Sequence, residues 1–182
     1  NGVSNSPILK DVGMKTVCDT LNRCGDVQSI IPSSCGEKIA YSYMNNLVVY
    51  DFNLLNGDIS NPNFTLINDS VQDFDYFYGV EFSSNTEYLY LTRGGNIKRL
   101  YQIDLKTAKD SLKLGDINLM STFKNTLSRR VTDLETGPDG KIYVATASEG
   151  ALSVINYPNL EGIACQFVLD GVNLGGKISR SG

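Results

Sequence analysis

The 182-residue chain has no histidine and no tryptophan. Without histidine a Ser-His-Asp triad is out, and no G-x-S-x-G elbow is present to expose a nucleophilic serine. No stretch approaches the roughly 18 apolar residues of a membrane-spanning helix. No basic block stands out and the net charge is −4, which disfavours nucleic acid and anionic membrane surfaces as partners, because both select a positive footprint. Two Gly-rich stretches, RGGN at 93–96 and LGG at 174–176, are too short for phosphate loops, and no cofactor is implied. No signal peptide is visible and the first residue is Asn1. The chain therefore reads as a processed protein, an expression product or a piece of something longer.

Cysteines are few: Cys18, Cys24, Cys35 and Cys165. Cys18 and Cys24 flank DTLNR, which suits a local disulfide across a loop. Cys35 and Cys165 are then left as a long-range pair, although four cysteines allow three connectivities. Free buried thiols are the alternative. Zinc fits poorly, because histidine and C-x2-C are both absent. Disulfides would imply an oxidising, extracytoplasmic setting.

What the chain does have is apolar content, 41% of residues, enough for a real core. It comes in short runs rich in Val, Ile, Tyr, Leu and Thr: KIAYSY, NLVVYDF, YLYLT, RLYQIDL, KIYVATA and ALSVINY. Gly, Asn, Asp and Ser punctuate them, and no long stripe has helical period. The fold class is all-β, with room for one short helix or irregular stretch near 116–130.

The runs repeat. SSCGEKIAYSY starts at Ser33, SSNTEYLYLT at Ser83 and GPDGKIYVAT at Gly137, intervals of 50 and 54 residues. Each reads as a four-residue turn followed by a Tyr-bearing strand. A second marker follows: Asp51, Asp104 and Asn156 close the next strand, lying 16, 19 and 17 residues after the third turn residue. A β-rich repeat of about 50 residues points to propeller blades, four-stranded sheets that bury their faces by stacking. A β-sandwich of hairpins gives no reason for two markers in phase. The expected fold is a partial β-propeller of about three blades in one domain: a lead-in over 1–25, then blades over 26–68, 69–125 and 126–182. Propellers typically need four to eight blades, so further blades are expected in the same or another chain.

Several residues are candidates for chemistry. Asp69, Asp73 and Asp75 supply carboxylate oxygens that suit calcium, though the stretch lacks the D-x-D-x-D-G pattern and equally suits a solvated inter-blade loop. Phe74, Tyr76 and Tyr78 are either core or, if alternate rings face out, a stacking platform for a sugar or a protein. Arg129 and Arg130 would meet an anionic sugar or an acidic partner, unless they are simply solvated.

YGVEFSSNTEYLYLT, LYQIDL, LETGPDGKIYVA and LSVINYPNLEGIACQFVLDGVNLGG together resemble secreted bacterial propeller proteins that carry type IX secretion or gliding-motility-associated sorting domains. The resemblance covers roughly residues 26–180 and is most specific over Leu134–Gly176. It departs at Cys35, which stands where the family's turn has Asp. A weaker likeness is to seven-bladed lactonase-like propellers. The first resemblance implies export and a cell-surface or secreted location. It also implies O-glycosylation on D-[ST]-apolar triplets, here at Thr20, Ser70 and Ser111. The function read from these features is a non-catalytic binding or scaffold module for protein or glycan. The alternative is a fragment of a lactonase-like or glycan-active propeller enzyme.

Overall fold

A computed structural model describes residues 27–43, 46–67, 77–94, 98–108, 110–113, 118–123 and 130–179. The apolar runs form strands and the polar clusters form the turns between them. Blade 1 contains β1 (Val27–Pro32), β2 (Lys38–Tyr43), β3 (Asn46–Phe52) and β4 (Ile59–Ile67). Blade 2 contains β5 (Phe77–Phe82), β6 (Tyr88–Arg93), β7 (Lys98–Asp104) and β9 (Asn118–Phe123), with a short β8 (Asp110–Lys113) in the connection between β7 and β9. Blade 3 contains β10 (Arg130–Thr136), β11 (Ile142–Ala147), β12 (Ala151–Ile155) and β13 (Phe167–Asn173). Each blade is an antiparallel meander running outward from its first strand, and the three together make a partial β-propeller.

Two expectations are corrected. The stretch near 116–130 is not helical where described: Asn118–Phe123 is β9, the outer strand of blade 2. The one described helical element is a single 3-10 turn at Gly162–Cys165, ended by Gln166 in the left-handed region. In addition, blade 1 is wider than four strands. β8 leaves blade 2 and pairs in parallel with β4, Phe64 to Asp110 through Ile67 to Lys113. It blunts an edge that would otherwise be open to non-native pairing.

The three turns are one device in three copies. The fourth residue donates its N–H to the carbonyl of the first: Gly36 to Ser33 at 2.8 Å, Thr86 to Ser83 at 2.9 Å and Gly140 to Gly137 at 2.9 Å. That fourth residue is left-handed each time, with φ of +74°, +59° and +76°. Glycine is at home there, whereas a β-branched residue such as Thr86 is strained. The second marker has an equally plain cause. Asp51 and Asp104 sit directly across from Lys38 and Tyr88, the residues that open β2 and β6. The spacing varies because the hairpin loops between the strands differ in length.

The blades stack in chain order, with blade 2 in the middle. Leu89, Leu91, Tyr101 and Ile103 face blade 1 and pack with Ala40, Leu47 and Val49. Tyr90 and Leu100, on the opposite face, pack with Val131, Leu134, Ile142, Val144, Ile155 and Cys165 of blade 3. Alternation along a strand therefore serves two cores at once. Each fully buried Leu or Ile contributes roughly 1.5–3 kcal/mol through removal from water. The inner strands come close at Gly79, where a Cβ would lie 2.8 Å from Asp133 Cα and 2.8 Å from Leu134 N. Only glycine fits.

Candidate functional site

Polar side chains buried between the blades are used as ties. The Ser42 hydroxyl of β2 reaches the Tyr78 carbonyl of β5 at 3.4 Å. The equivalent Thr92 of β6 donates to the Thr132 carbonyl of β10 at 2.6 Å and accepts from Gly79 N–H at 2.8 Å. Both hydroxyl residues are fully buried, so these bonds replace water that cannot reach them.

A denser network joins blades 2 and 3. Tyr90 donates its hydroxyl to the Pro158 carbonyl at 2.9 Å, and Gln102 Nε2 donates to that hydroxyl at 2.7 Å. Gln102 also donates to the Leu160 carbonyl at 2.8 Å and accepts from Gly162 N–H at 2.8 Å. Burial pushes the Tyr90 hydroxyl far above the usual tyrosine range, and burial likewise raises the Cys165 thiol. Asn159 Oδ1 accepts from the Ser84 hydroxyl and from Asn85 N–H, each at 3.1 Å. The sequence NYPNLEG thus lies against one end of blade 2, held there through the Pro158 and Leu160 carbonyls, the Asn159 side chain and the Gly162 N–H.

The inner strands carry carboxylates. Glu81 of β5 is half-buried, and burial raises its carboxyl above the glutamate range. A hydrogen bond from Thr136 opposes the rise, and the nearby Glu135 charge reinforces it. A proton is therefore held more readily at Glu81 than at an exposed carboxylate. Among the described residues no group of three or more His, Cys, Asp or Glu is placed to hold a metal.

An open groove of about 760 Å³ lies on blade 1, between the turn residue Glu37 and the β3–β4 turn. Asp51 and Asp58 line it together with Phe52, Leu54 and Leu55. The turn at its edge is internally fixed. Asn53 Oδ1 accepts from Leu55 N–H at 2.9 Å, Asn56 Oδ1 from Asp58 N–H at 2.9 Å, and Asn53 N–H donates to the Asp58 carbonyl at 2.8 Å. This rigid turn holds Leu54 and Leu55 in solvent, 60% and 98% exposed. Leu54 lies over Gly36, where a Cβ would come within 3.1 Å of its Cδ2. Lys38 bridges to Asp51 at 2.7 Å.

Most of the sequence candidates cannot be placed against one another, because they fall outside the described residues. Cys18, Thr20, Cys24, Asp69, Ser70, Asp73, Phe74, Asp75, Tyr76 and Arg129 lie outside the described residues. Ser111 and Arg130 fall in β8 and β10, with only their backbone described. Tyr78 is half-buried in β5, and its neighbour Phe77 is core. The long-range disulfide is a correction: Cys35 and Cys165 are both free thiols, one exposed at the blade 1 turn and the other sealed between blades 2 and 3. Cys35 instead shares hydrogen bonds with the Ser33 hydroxyl at 3.3 Å and the Thr86 hydroxyl at 3.6 Å. The bond from Ser33 is the main cause that lowers its thiol below the usual value, followed by the Glu37 backbone and Thr86. Asp104 caps the turn that follows β7, accepting from Lys106 N–H at 2.8 Å. Asp51 is engaged instead by Lys38, and the cap two residues on falls to Asn53. Sequence reading missed Tyr90, Gln102, Thr92 and the groove; the INYPN string was the available signal for the first two.

No helix among the described residues is long and apolar enough to cross a membrane. No family model matches the chain, and no curated protein matches it. Solved structures do resemble it. A protein from Lactobacillus plantarum aligns with TM-score 0.54 at 9% identity, over 85% of this chain and 42% of that one. A protein of unknown function from Bacteroides caccae aligns with TM-score 0.48 at 9% identity, over 85% of this chain and 48% of its own. An extracellular domain from B. thetaiotaomicron gives TM-score 0.44 at 14% identity, over 74% of this chain and 15% of that one. The chain therefore spans less than half the length of each, and at these identities the first likeness bears on the fold alone.

Proposed function

We propose that the chain is a non-catalytic binding and scaffold module of a secreted or cell-surface bacterial protein, with a protein partner held at the blade 1 groove. The observation that carries this reading is the contrast between two sets of groups. Ser42, Thr92, Tyr90 and Gln102, buried between the blades, are committed to tying them together, which makes a rigid frame. Leu54 and Leu55, by contrast, are held out by a hydrogen-bonded turn beside Glu37, Asp51 and Asp58. A fixed apolar pair with a polar rim has the make-up of a contact site. Export of the type IX kind rests on the sequence resemblance, and glycan as an alternative ligand on the candidates Phe74, Tyr76, Tyr78, Arg129 and Arg130. The test is an interaction screen against secreted proteins and glycans, with Leu54→Asp and Leu55→Asp as controls. Partner binding should fall at least tenfold in these variants with the melting temperature unchanged. Robust lactone or glycoside turnover by the purified protein would overturn the reading.

One observation favours a second reading, a fragment of a propeller enzyme. Glu81, beside Glu135 on the inner strands, has the raised carboxyl that a general acid needs. Under this reading Glu81→Gln abolishes a turnover that the native protein displays.

A further inference from the structure

The third strand of each blade ends beside that blade's turn. Phe52 N–H donates to the Glu37 carbonyl at 2.7 Å and Leu105 N–H to the Glu87 carbonyl at 2.9 Å. In blade 3, Ile155 pairs with Ile142, which opens β11. The loops at 53–58 and 156–166 therefore stand at the end of the stack that carries the three turns. Nine large hydrophobic residues are exposed among the described residues, and five of them lie in these two loops. Leu54 and Leu55 belong to the blade 1 groove. Tyr157, Leu160 and Ile163 stand out from the blade 3 loop, and Ile163 is 96% exposed. Gln102 holds that loop through the Leu160 carbonyl and Gly162 N–H. Ile163, like Leu55, is thus kept in water by a fixed backbone.

Blade 2 stands between these two apolar groups, and its end is acidic. Burial first, and then the charges of Glu161, Asp104 and Glu87, push the Tyr88 hydroxyl above the tyrosine range, with Lys106 opposing them. The three carboxylates therefore share one neighbourhood with Tyr88. Lys106 bridges to Glu87 at 2.6 Å, so the group has three carboxylates to one described lysine. Blade 1 has the same balance, with Glu37, Asp51 and Asp58 against Lys38. The surface is also continuous. The Ser34 hydroxyl of the blade 1 turn donates to the Ser84 carbonyl of the blade 2 turn at 2.6 Å. Asn85 N–H in turn donates to Asn159 Oδ1 of the blade 3 loop at 3.1 Å.

We propose that this end is a single docking surface for a partner protein segment with a cationic middle and an apolar anchor on each side. One anchor meets Leu54 and Leu55, and the other meets Leu160 and Ile163. Lysines or arginines between them lie over Glu87, Asp104 and Glu161. Charge complementarity selects this occupant. A second copy of the chain docked by the same end would set carboxylates against carboxylates, which like-charge repulsion opposes. The inference rests on the blade 1 groove as a partner site and extends it across two further blades.

The probe is a synthetic peptide with a run of lysines between two leucine pairs. Its counterparts carry glutamates in place of the lysines, or serines in place of the leucines. Binding to the full chain is read by fluorescence anisotropy. The lysine peptide should bind at least tenfold more tightly than either counterpart. Salt at about 1 M, which screens charges beyond roughly 3 Å, should weaken it. Leu55→Ser and Ile163→Ser should each weaken it about tenfold, the order expected for loss of one anchor, with the melting temperature unchanged. Glu161→Gln should weaken it and flatten its salt dependence. Loss with Leu55→Ser but not with Ile163→Ser overturns this inference and leaves the groove reading standing. Loss with neither, or with Ile163→Ser alone, overturns both. Equal binding of the glutamate peptide, or no binding of the lysine peptide, overturns the cationic partner.

Discussion

Tyr90 of blade 2 donates its hydroxyl to the carbonyl of Pro158 in blade 3 across 2.9 Å. The bond is buried, and Gln102 completes it from the neighbouring strand at 2.7 Å. It joins two sheets that otherwise touch mainly through apolar side chains, and it fixes the loop that closes the lower end of blade 2. A buried hydrogen bond of this kind selects one docking geometry, because any slip leaves polar atoms dry and unmatched.

Tyr90→Phe keeps the ring and removes the tie. It leaves the Pro158 carbonyl and a Gln102 proton unsatisfied, at a cost of about 1–3 kcal/mol. Gln102→Leu should cost at least as much, since Gln102 makes three of the network's bonds. The double variant should cost less than the sum, because the two share a partner. Urea unfolding of the four proteins measures the coupling.

Gly79→Ala places a methyl 2.8 Å from Asp133 Cα and Leu134 N. These are backbone atoms of β10 and cannot swing aside. The expected loss is about 1–3 kcal/mol, in the range of overpacked cores. A melting temperature within a degree of the native value would mean that the inner strands do not meet there.

Glu81 gives a pH dependence whose sign is fixed. Its folded carboxyl binds a proton more tightly than the ordinary 4.5 of the unfolded chain, chiefly through burial. Its contribution to stability is therefore full below that ordinary value and is lost as pH rises through the raised folded value. Glu81→Gln should remove this fall. Urea midpoints from acid to neutral pH should decline less steeply for the variant than for the native chain.

The two described cysteines should differ in reactivity. Cys35 is exposed and its thiolate is favoured by the Ser33 hydroxyl, whereas Cys165 is buried and held as thiol. Site-resolved mass spectrometry after brief native alkylation should find Cys35 modified and Cys165 intact. Unfolding should expose Cys165.

Blade architecture was legible because it is written in local chemistry. The turns at Ser33, Ser83 and Gly137 announce themselves by their own residues, and Asp51 and Asp104 stay in phase because strand register holds them opposite the turn's end. What was hidden depends on long-range placement. The third turn returns one residue sooner: Gly137 N–H bonds Lys141, while Ser83 bonds Tyr88. A count of 54 therefore sets Tyr90 against Val144, although the strand pairing matches it with Tyr143. β8 was missed because four residues, DSLK, carry no pattern of their own and pair only because β4 offers an edge. The groove was missed because LLNGD reads as a turn, and nothing local says that its leucines stay outside.

Native-state hydrogen exchange, resolved by segment, tests the central claim that blade 2 is held between two blades. β6 is buried on both faces, whereas β13 is exposed along most of its length. The prediction is that residues 88–93 exchange only through global unfolding, while residues 167–173 exchange at least a hundredfold faster. Equal protection of the two segments, or faster exchange in β6, would contradict the stacked arrangement.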